Sequence, residues 1–167
     1  TKWSYQIRRA EDVAWAVARA FYIARSGRPG PVVLDFAKNA QVEKTKYEPT
    51  KVDFIRSYVP VPDTDEETVQ AAAELINNAK RPLVLVGQGV ELGNAQSELR
   101  EFIEKADMPA GCTLLGLSAL PTEHPLNKGM LGMHGNLGPN INTNKCDVLI
   151  AVGMRFDDRV TGNLATY

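Results

Sequence analysis

Residues Cys146–Gly162 read CDVLIAVGMRFDDRVTG, and the reading of this stretch decides the fold class. The unbroken apolar run Val148, Leu149, Ile150, Ala151, Val152 predicts a strand buried on both faces, as in a parallel sheet covered by helices. The run stops at Gly153, and Arg155, Asp157, Asp158 and Arg159 follow at once. Open α/β sheets bind ligands beyond the carboxyl ends of their strands, so two guanidiniums and two carboxylates set down there can hold a phosphate-bearing cofactor. The same residues also read as a solvated turn whose charges pair with one another. The stretch by itself leaves both readings open.

Upstream, Leu83-Val84-Leu85-Val86 predicts another buried strand running into Gly87-Gln88-Gly89-Val90-Glu91-Leu92-Gly93. Asn94 is the expected cap of a helix whose apolar face is Ala95, Leu99, Phe102, Ile103 and Ala106. Strand, glycine turn and helix suit a nucleotide, because glycine admits close backbone approach and a helix start offers free N–H groups. The spacing GxGxxxG is one residue off the dinucleotide fingerprint, and a tight turn without ligand fits it equally. Met108–Thr113 predicts a further short strand, followed by a compact stretch ending in Pro121 and Pro125. In Gly129–Gly135, GMLGMHG, glycines interleave with methionines and His134. That pattern suits a flat molecule lying on the backbone, or a core crossover with methionines as fillers. Residues 136–144 are poor helix formers, and Pro139 is tolerable only in a first turn. The alternation predicts a doubly wound parallel α/β sheet over residues 63–167.

Toward the amino end, residues 11–26 predict a helix with Val13, Val17, Ala20 and Ala24 inward and Gly27 as its stop. The turn Arg28-Pro-Gly-Pro31 leads into a short buried strand, Val32–Phe36, with no obvious partner strand. The pair reads as the end of a domain begun elsewhere. Periodicity disappears over 37–61, where Lys, Glu and Pro are scattered, as in an interdomain connection. Asp63–Glu67 then opens a helix with Val69, Ala72, Ala73 and Ile76 as its buried stripe. The expected plan is a remnant over 1–45, a linker over 46–62 and a second domain over 63–167 that is incomplete at its carboxyl end.

The net charge of −1 in 167 residues gives no electrostatic reason to expect nucleic acid or an anionic membrane. No apolar run reaches the ~18 residues of a membrane span, and the opening TKWSYQIRRAED is too polar for a secretory signal. Cys112 and Cys146 lack any CxxC or Cys/His ligand spacing. They read as free thiols of a reducing cytoplasm, and no metal site is expected.

Taken together, GRPGPVVLDFAK, RPLVLVGQGV, CTLLGL, HPLNKGMLGMHGN and VGMRFDDRVTGN resemble the catalytic large subunits of the acetohydroxyacid synthase (acetolactate synthase) family, over essentially the whole chain and in order. MLGMHG followed by RFDDRVTG is specific among thiamine-diphosphate enzymes. The resemblance implies three successive α/β domains, of which this chain holds the end of the pyrimidine-binding domain, the linker and most of a Rossmann-like central domain. It implies decarboxylation of pyruvate on thiamine diphosphate and condensation with a second 2-ketoacid, pyruvate or 2-ketobutyrate, in branched-chain amino-acid synthesis. FAD in the central domain, Mg²⁺ elsewhere, a homo-oligomer and a small regulatory subunit are implied as well.

By the same resemblance Arg28 reaches the flavin nucleotide, and Gly87 and Gly89 border its diphosphate. Thr113, Leu114 and Leu115 line the ribityl–flavin side, and Met133 and His134 lie along the extended cofactor. Gly153, Arg155, Asp157, Arg159 and Val160 complete the pocket, while Lys38 matches a lysine near the substrate channel. Ala37, Asn39, Gln88 and Met154 depart from the family pattern. The family's catalytic glutamate and its Mg-diphosphate motif have no match here, so no catalytic residue is named, and the chain alone is expected to make no acetolactate and to hold FAD weakly. The competing readings are a related thiamine enzyme of pyruvate oxidase or glyoxylate carboligase type, and a stand-alone nucleotide-binding or electron-transfer module.

Overall fold

The computed structural model describes residues 1–165 and 167, which form two compact units, Thr1–Asp63 and Thr64–Tyr167. In the first unit, β1 (Trp3–Ile7) and β2 (Val32–Phe36) pair in parallel, Trp3 opposite Val32 and Ile7 opposite Phe36. The crossover between them is α1 (Val13–Arg25), entered through a 3₁₀ turn at Ala10–Asp12. β1 is the partner strand that the sequence reading lacked. Its signal is a five-residue alternation, with Trp3, Tyr5 and Ile7 turned inward and Ser4 and Gln6 exposed.

The buried face of α1 is Ala16, Ala20 and Ile23, so the predicted stripe is rotated and Val13, Val17 and Ala24 are only half-buried. Small residues at the centre of the contact let the helix sit close to the sheet. Ile7, Ala16 and Ala40 form the core, with Tyr5, Val13, Trp15 and Leu34 packed on it. The Trp15 ring stands edge-on to Trp3 and Tyr5, and the Arg19 guanidinium lies over both tryptophans, 5.5 and 5.4 Å from the ring centroids. β2 is not the buried strand expected, because α1 covers one face only and Val33 and Phe36 stay exposed. A short helix, α2 (Lys38–Val42), follows within the stretch read as aperiodic. Beyond it, Tyr58 donates to the Ser26 carbonyl at 3.1 Å and fastens the irregular segment to the end of α1.

The second unit begins with α3 (Glu66–Asn78), whose cap is Asp65 accepting from the Thr68 N–H. Its predicted stripe is not buried: Val69, Ala72 and Ala73 are exposed and only Ile76 packs on the core. Then follow β3 (Pro82–Val86), the single turn α4 (Gly89–Leu92) and α5 (Gln96–Lys105). Asn94 is not a cap. It sits between the two helices at φ +52°, a conformation that asparagine tolerates better than most residues. The remaining elements are β4 (Ala110–Cys112), a 3₁₀ stretch at Leu114–Ala119, β5 (Asn127–Met130), α6 (Leu137–Lys145), β6 (Val148–Val152) and α7 (Asp158–Thr161). β5 runs into the start of the glycine-rich stretch, ending at Met130. α6 forms despite its poor composition, with Pro139 in the first turn, where no donor is missed.

The sheet order is β5-β4-β3-β6, all parallel, as the α/β reading expects. β3 is central, and Leu83, Val84, Leu85 and Val86 are at most 1% exposed. β6 has only β3 as a neighbour among the described residues, so it is half-buried rather than covered on both faces. The amino ends of these two strands are tied by Asp147, whose carboxylate accepts from the N–H groups of Lys80 and Arg81 at 2.8 Å each. The Lys80 bond first, with that of Arg81, holds this carboxyl below its ordinary range.

At the carboxyl ends the tie is backbone to backbone. Gly87 N–H donates to the Val152 carbonyl at 2.9 Å and Gly89 N–H to the Gly153 carbonyl at 2.7 Å. A Cβ on Gly87 would stand 2.4 Å from the Met154 Cα, and one on Gly89 2.6 Å from the Gly153 Cα. Gly89→Ala must push two backbones apart, and a loss of about 3 kcal/mol is expected. Gly138, with nothing within 4 Å of its missing Cβ, lies in α6, and Gly138→Ala should stabilise by up to ~1 kcal/mol. Urea denaturation of the two variants checks both, and equal effects would contradict the packing. Burial pushes the Cys112 thiol up to about 11, and the thiolate is the reactive form. Iodoacetamide at about pH 8 should therefore label half-buried Cys146 first and Cys112 only on unfolding, an order that peptide mass spectrometry reads directly.

Candidate functional site

β3 comes first in its unit and lies between β4 and β6, so the strand order reverses between β3 and β6. A crevice beyond the carboxyl ends at such a reversal is where an open α/β sheet takes its ligand. Each of the four strands sends a loop to that end. Gly87 and Gly89 leave β3; Thr113, Leu114 and Leu115 leave β4; Met133 and His134 leave β5; Gly153, Arg155, Asp157, Arg159 and Val160 leave β6. All the predicted residues of this unit are therefore gathered at one edge.

The loops are stitched to each other. Thr113 N–H donates to the Val86 carbonyl at 2.8 Å, Leu131 N–H to the Cys112 carbonyl at 2.9 Å, and Met133 N–H to the Arg159 carbonyl at 2.8 Å. Gly116 seats the 3₁₀ stretch on the end of β3, since a Cβ there would stand 2.2 Å from the Val86 carbonyl oxygen. The space left by the missing Cβ atoms of Gly87 and Gly89 is filled by the β6 loop. These glycines serve loop-on-loop packing first.

The residues turned outward have two characters. Leu114, Leu115, Met133 and Phe156 are 69, 57, 68 and 53% exposed, an apolar ledge on these loops, with the Phe156 ring met edge-on by Tyr167. Beside it Asp157 caps α7 by accepting from the Val160 N–H, and Arg155 lies 3.4 Å from the same carboxylate. An exposed pair of this kind is worth at most ~1 kcal/mol, so a ligand phosphate can take Arg155 over at little cost. Arg159 and His134 are exposed at the same edge. Exposed apolar side chains suit a flat ring and guanidiniums suit a diphosphate, and these loops carry both. Among the described residues no group of three or more His, Cys, Asp or Glu is placed to hold a metal ion.

Arg28 and Lys38 belong to the first unit, at the amino and carboxyl sides of β2 respectively. Phe156, Gly116, Asn136 and Asn140 were missed. Phe156 shows itself as a lone aromatic in a charged run. The asparagines show themselves as polar residues in a segment too poor to be a helix for its own sake; Asn136 returns both a main-chain and a side-chain bond to Met130, at 2.6 and 3.1 Å.

Comparison with known proteins agrees with this geometry. The family described as "Thiamine pyrophosphate enzyme, central domain" matches residues 69–167. The acetolactate synthase isozyme 2 large subunit of Escherichia coli K12 is 42% identical over 167 residues, all of this chain and 30% of that protein. The large subunit from Corynebacterium glutamicum is 39% identical, over 100% of this chain and 27% of its own length. A solved structure of a putative thiamin diphosphate-dependent enzyme from Mycobacterium smegmatis superposes with a TM-score of 0.74 at 32% identity, covering 92% of this chain and 29% of that one. The chain thus spans about 30% of the length of the curated relatives it matches. By sequence and by sheet, it belongs to the thiamine pyrophosphate enzymes, whose central domain it carries.

Proposed function

We propose that this chain is the flavin-binding central part, with an adjoining piece of the preceding domain, of an acetolactate synthase large subunit. The observation that carries the reading is the gathering of the motif-matched residues into four stitched loops at one sheet edge, with an apolar ledge beside Arg155 and Arg159. Relatives near 40% identity over the whole chain support acetolactate synthase over a pyruvate oxidase or carboligase. In the full-length protein the reaction is decarboxylation of pyruvate and condensation with pyruvate or 2-ketobutyrate. Thiamine diphosphate with Mg²⁺, held outside this chain, supplies carbanion stabilisation there. A homo-oligomer and a small regulatory subunit, in the cytoplasm, complete the proposal.

Within this chain the roles are those of binding and orientation. Leu114, Leu115 and Met133 take the ring of FAD, and Arg155 and Arg159 take its diphosphate. Asp157 holds the β6 loop through the Val160 N–H and keeps oxygen sites for a hydroxyl of the ligand, since a carboxylate accepts more bonds than the cap uses. The roles of Arg28 toward the nucleotide and of Lys38 near the substrate channel rest on the motif match.

The test is flavin content of the full-length protein. Purified with FAD present, it should hold one equivalent through dialysis and form acetolactate from pyruvate. Arg155→Ala should weaken FAD by roughly tenfold to thirtyfold, as expected for a charge-assisted bond of ~1.5–2 kcal/mol, with little change in melting temperature because the pair with Asp157 is exposed. A full-length protein without affinity for FAD overturns the reading.

A further inference from the structure

Asn140 lies in the first half of α6 and turns its side chain toward the loop that leaves β5. Its Oδ1 accepts from the Gly132 N–H at 2.8 Å and its Nδ2 donates to the Gly132 carbonyl at 2.9 Å. One amide thus pairs with both polar groups of one residue, as a neighbouring strand would. The pairing also fixes the amide's orientation, since a half-turn would set NH₂ against N–H and oxygen against oxygen. Gly132 needs this support. Its φ is +101° and a Cβ would stand 2.7 Å from the Arg159 carbonyl oxygen, so the loop passes through a turn that only glycine adopts readily, close against the β6 loop. The next residue, Met133, donates its N–H to that same carbonyl at 2.8 Å.

We propose that Asn140 is a positioning residue for the cofactor site: by gripping Gly132 it fixes the turn that presents Met133 and His134 beside the Arg155–Arg159 loop. The proposal rests on the flavin-binding reading of these loops. Without the amide, the half-buried N–H and C=O of Gly132 lose their partners and the turn samples other conformations. Ordering it again on binding then lowers affinity. Asn140 itself belongs to neither core cluster of the sheet.

The discriminating variant is Asn140→Asp in the full-length protein. As a carboxylate it has no proton for the Gly132 carbonyl; as a neutral acid it has one, and it restores both bonds. FAD affinity, read by flavin fluorescence, should be about tenfold or more below wild type at neutral pH. It should recover as pH falls to about 5, toward the carboxyl range. α6 itself carries only Lys145, and the adjoining strand and loops carry Lys128, His134, Arg155, Asp157, Asp158 and Arg159. Wild type carries the same groups, so the variant-to-wild-type ratio isolates position 140. Asn140→Ala should be weak at every pH, and hydrogen exchange in peptide 130–136 should accelerate in both variants at neutral pH. A merely structural role would lower the melting temperature without a pH-dependent affinity ratio. Wild-type affinity in Asn140→Asp at neutral pH, or an affinity deficit that ignores pH, overturns the proposal. If wild type binds no FAD, the flavin reading fails instead; unchanged exchange in peptide 130–136 would then overturn the grip on Gly132 as well, and faster exchange would uphold the grip alone.

Discussion

The second unit depends on one close approach. The carboxyl ends of β3 and β6 are joined by two backbone hydrogen bonds at a separation that no side chain fits, with Gly87 and Gly89 on one side and Gly153, at φ +62°, on the other. Parallel strands bond along their length, but beyond the last ladder pair, Val86 with Val152, nothing in the sheet itself obliges their loops to stay together. The glycines supply that obligation. They turn the strand-order reversal from an open fork into a closed platform, and the 3₁₀ stretch after β4 is seated on the same platform through Gly116.

This explains which parts of the fold were legible in the sequence. β3 stood out because a central strand is apolar on both faces, and Leu83–Val86 is unbroken. β6 carries the same kind of run, although it lies at the edge of the described sheet and is half-buried. β1 was illegible by the same logic inverted. Its alternation is sound, but it is five residues long, follows a charged lysine and precedes two arginines, so the polar surroundings outweigh a weak period. The stripe of α3 was legible as helix but not as surface, since amphipathicity fixes a direction and not a partner.

The candidate site was legible as motifs and illegible as mechanics. Arg155, Asp157 and the paired methionines are conspicuous residue types, whereas the work of holding them falls to main chain and to asparagine. Asn140 lowers the helical propensity of α6, and Asn136 stands at its N-cap without a side-chain capping bond. Both reach sideways, to Met130 and Gly132. A segment that violates its local preference next to a set of exposed side chains is where a functional demand has overridden local stability.

The division of labour between main chain and side chain gives the edge its chemistry. Apart from the Asp157 carboxylate that caps α7, what sets position is backbone or amide: the Gly89–Gly153 and Met133–Arg159 bonds, and the grip of Asn140. These groups are neutral, nearly fully paired within the protein, and costly to disturb. What faces outward at this edge is mostly long side chains, with Leu114, Leu115, Met133 and Phe156 more than half exposed and Arg155 in a weak surface pair. Binding a diphosphate then exchanges one solvated ion pair for another and covers apolar area, while the platform beneath keeps its bonds. Little ordering cost is left for a ligand to meet where the loops are already closed on each other. The same economy assigns the glycines their place. They are needed where backbone meets backbone, and the ligand inherits the surface that contact leaves behind.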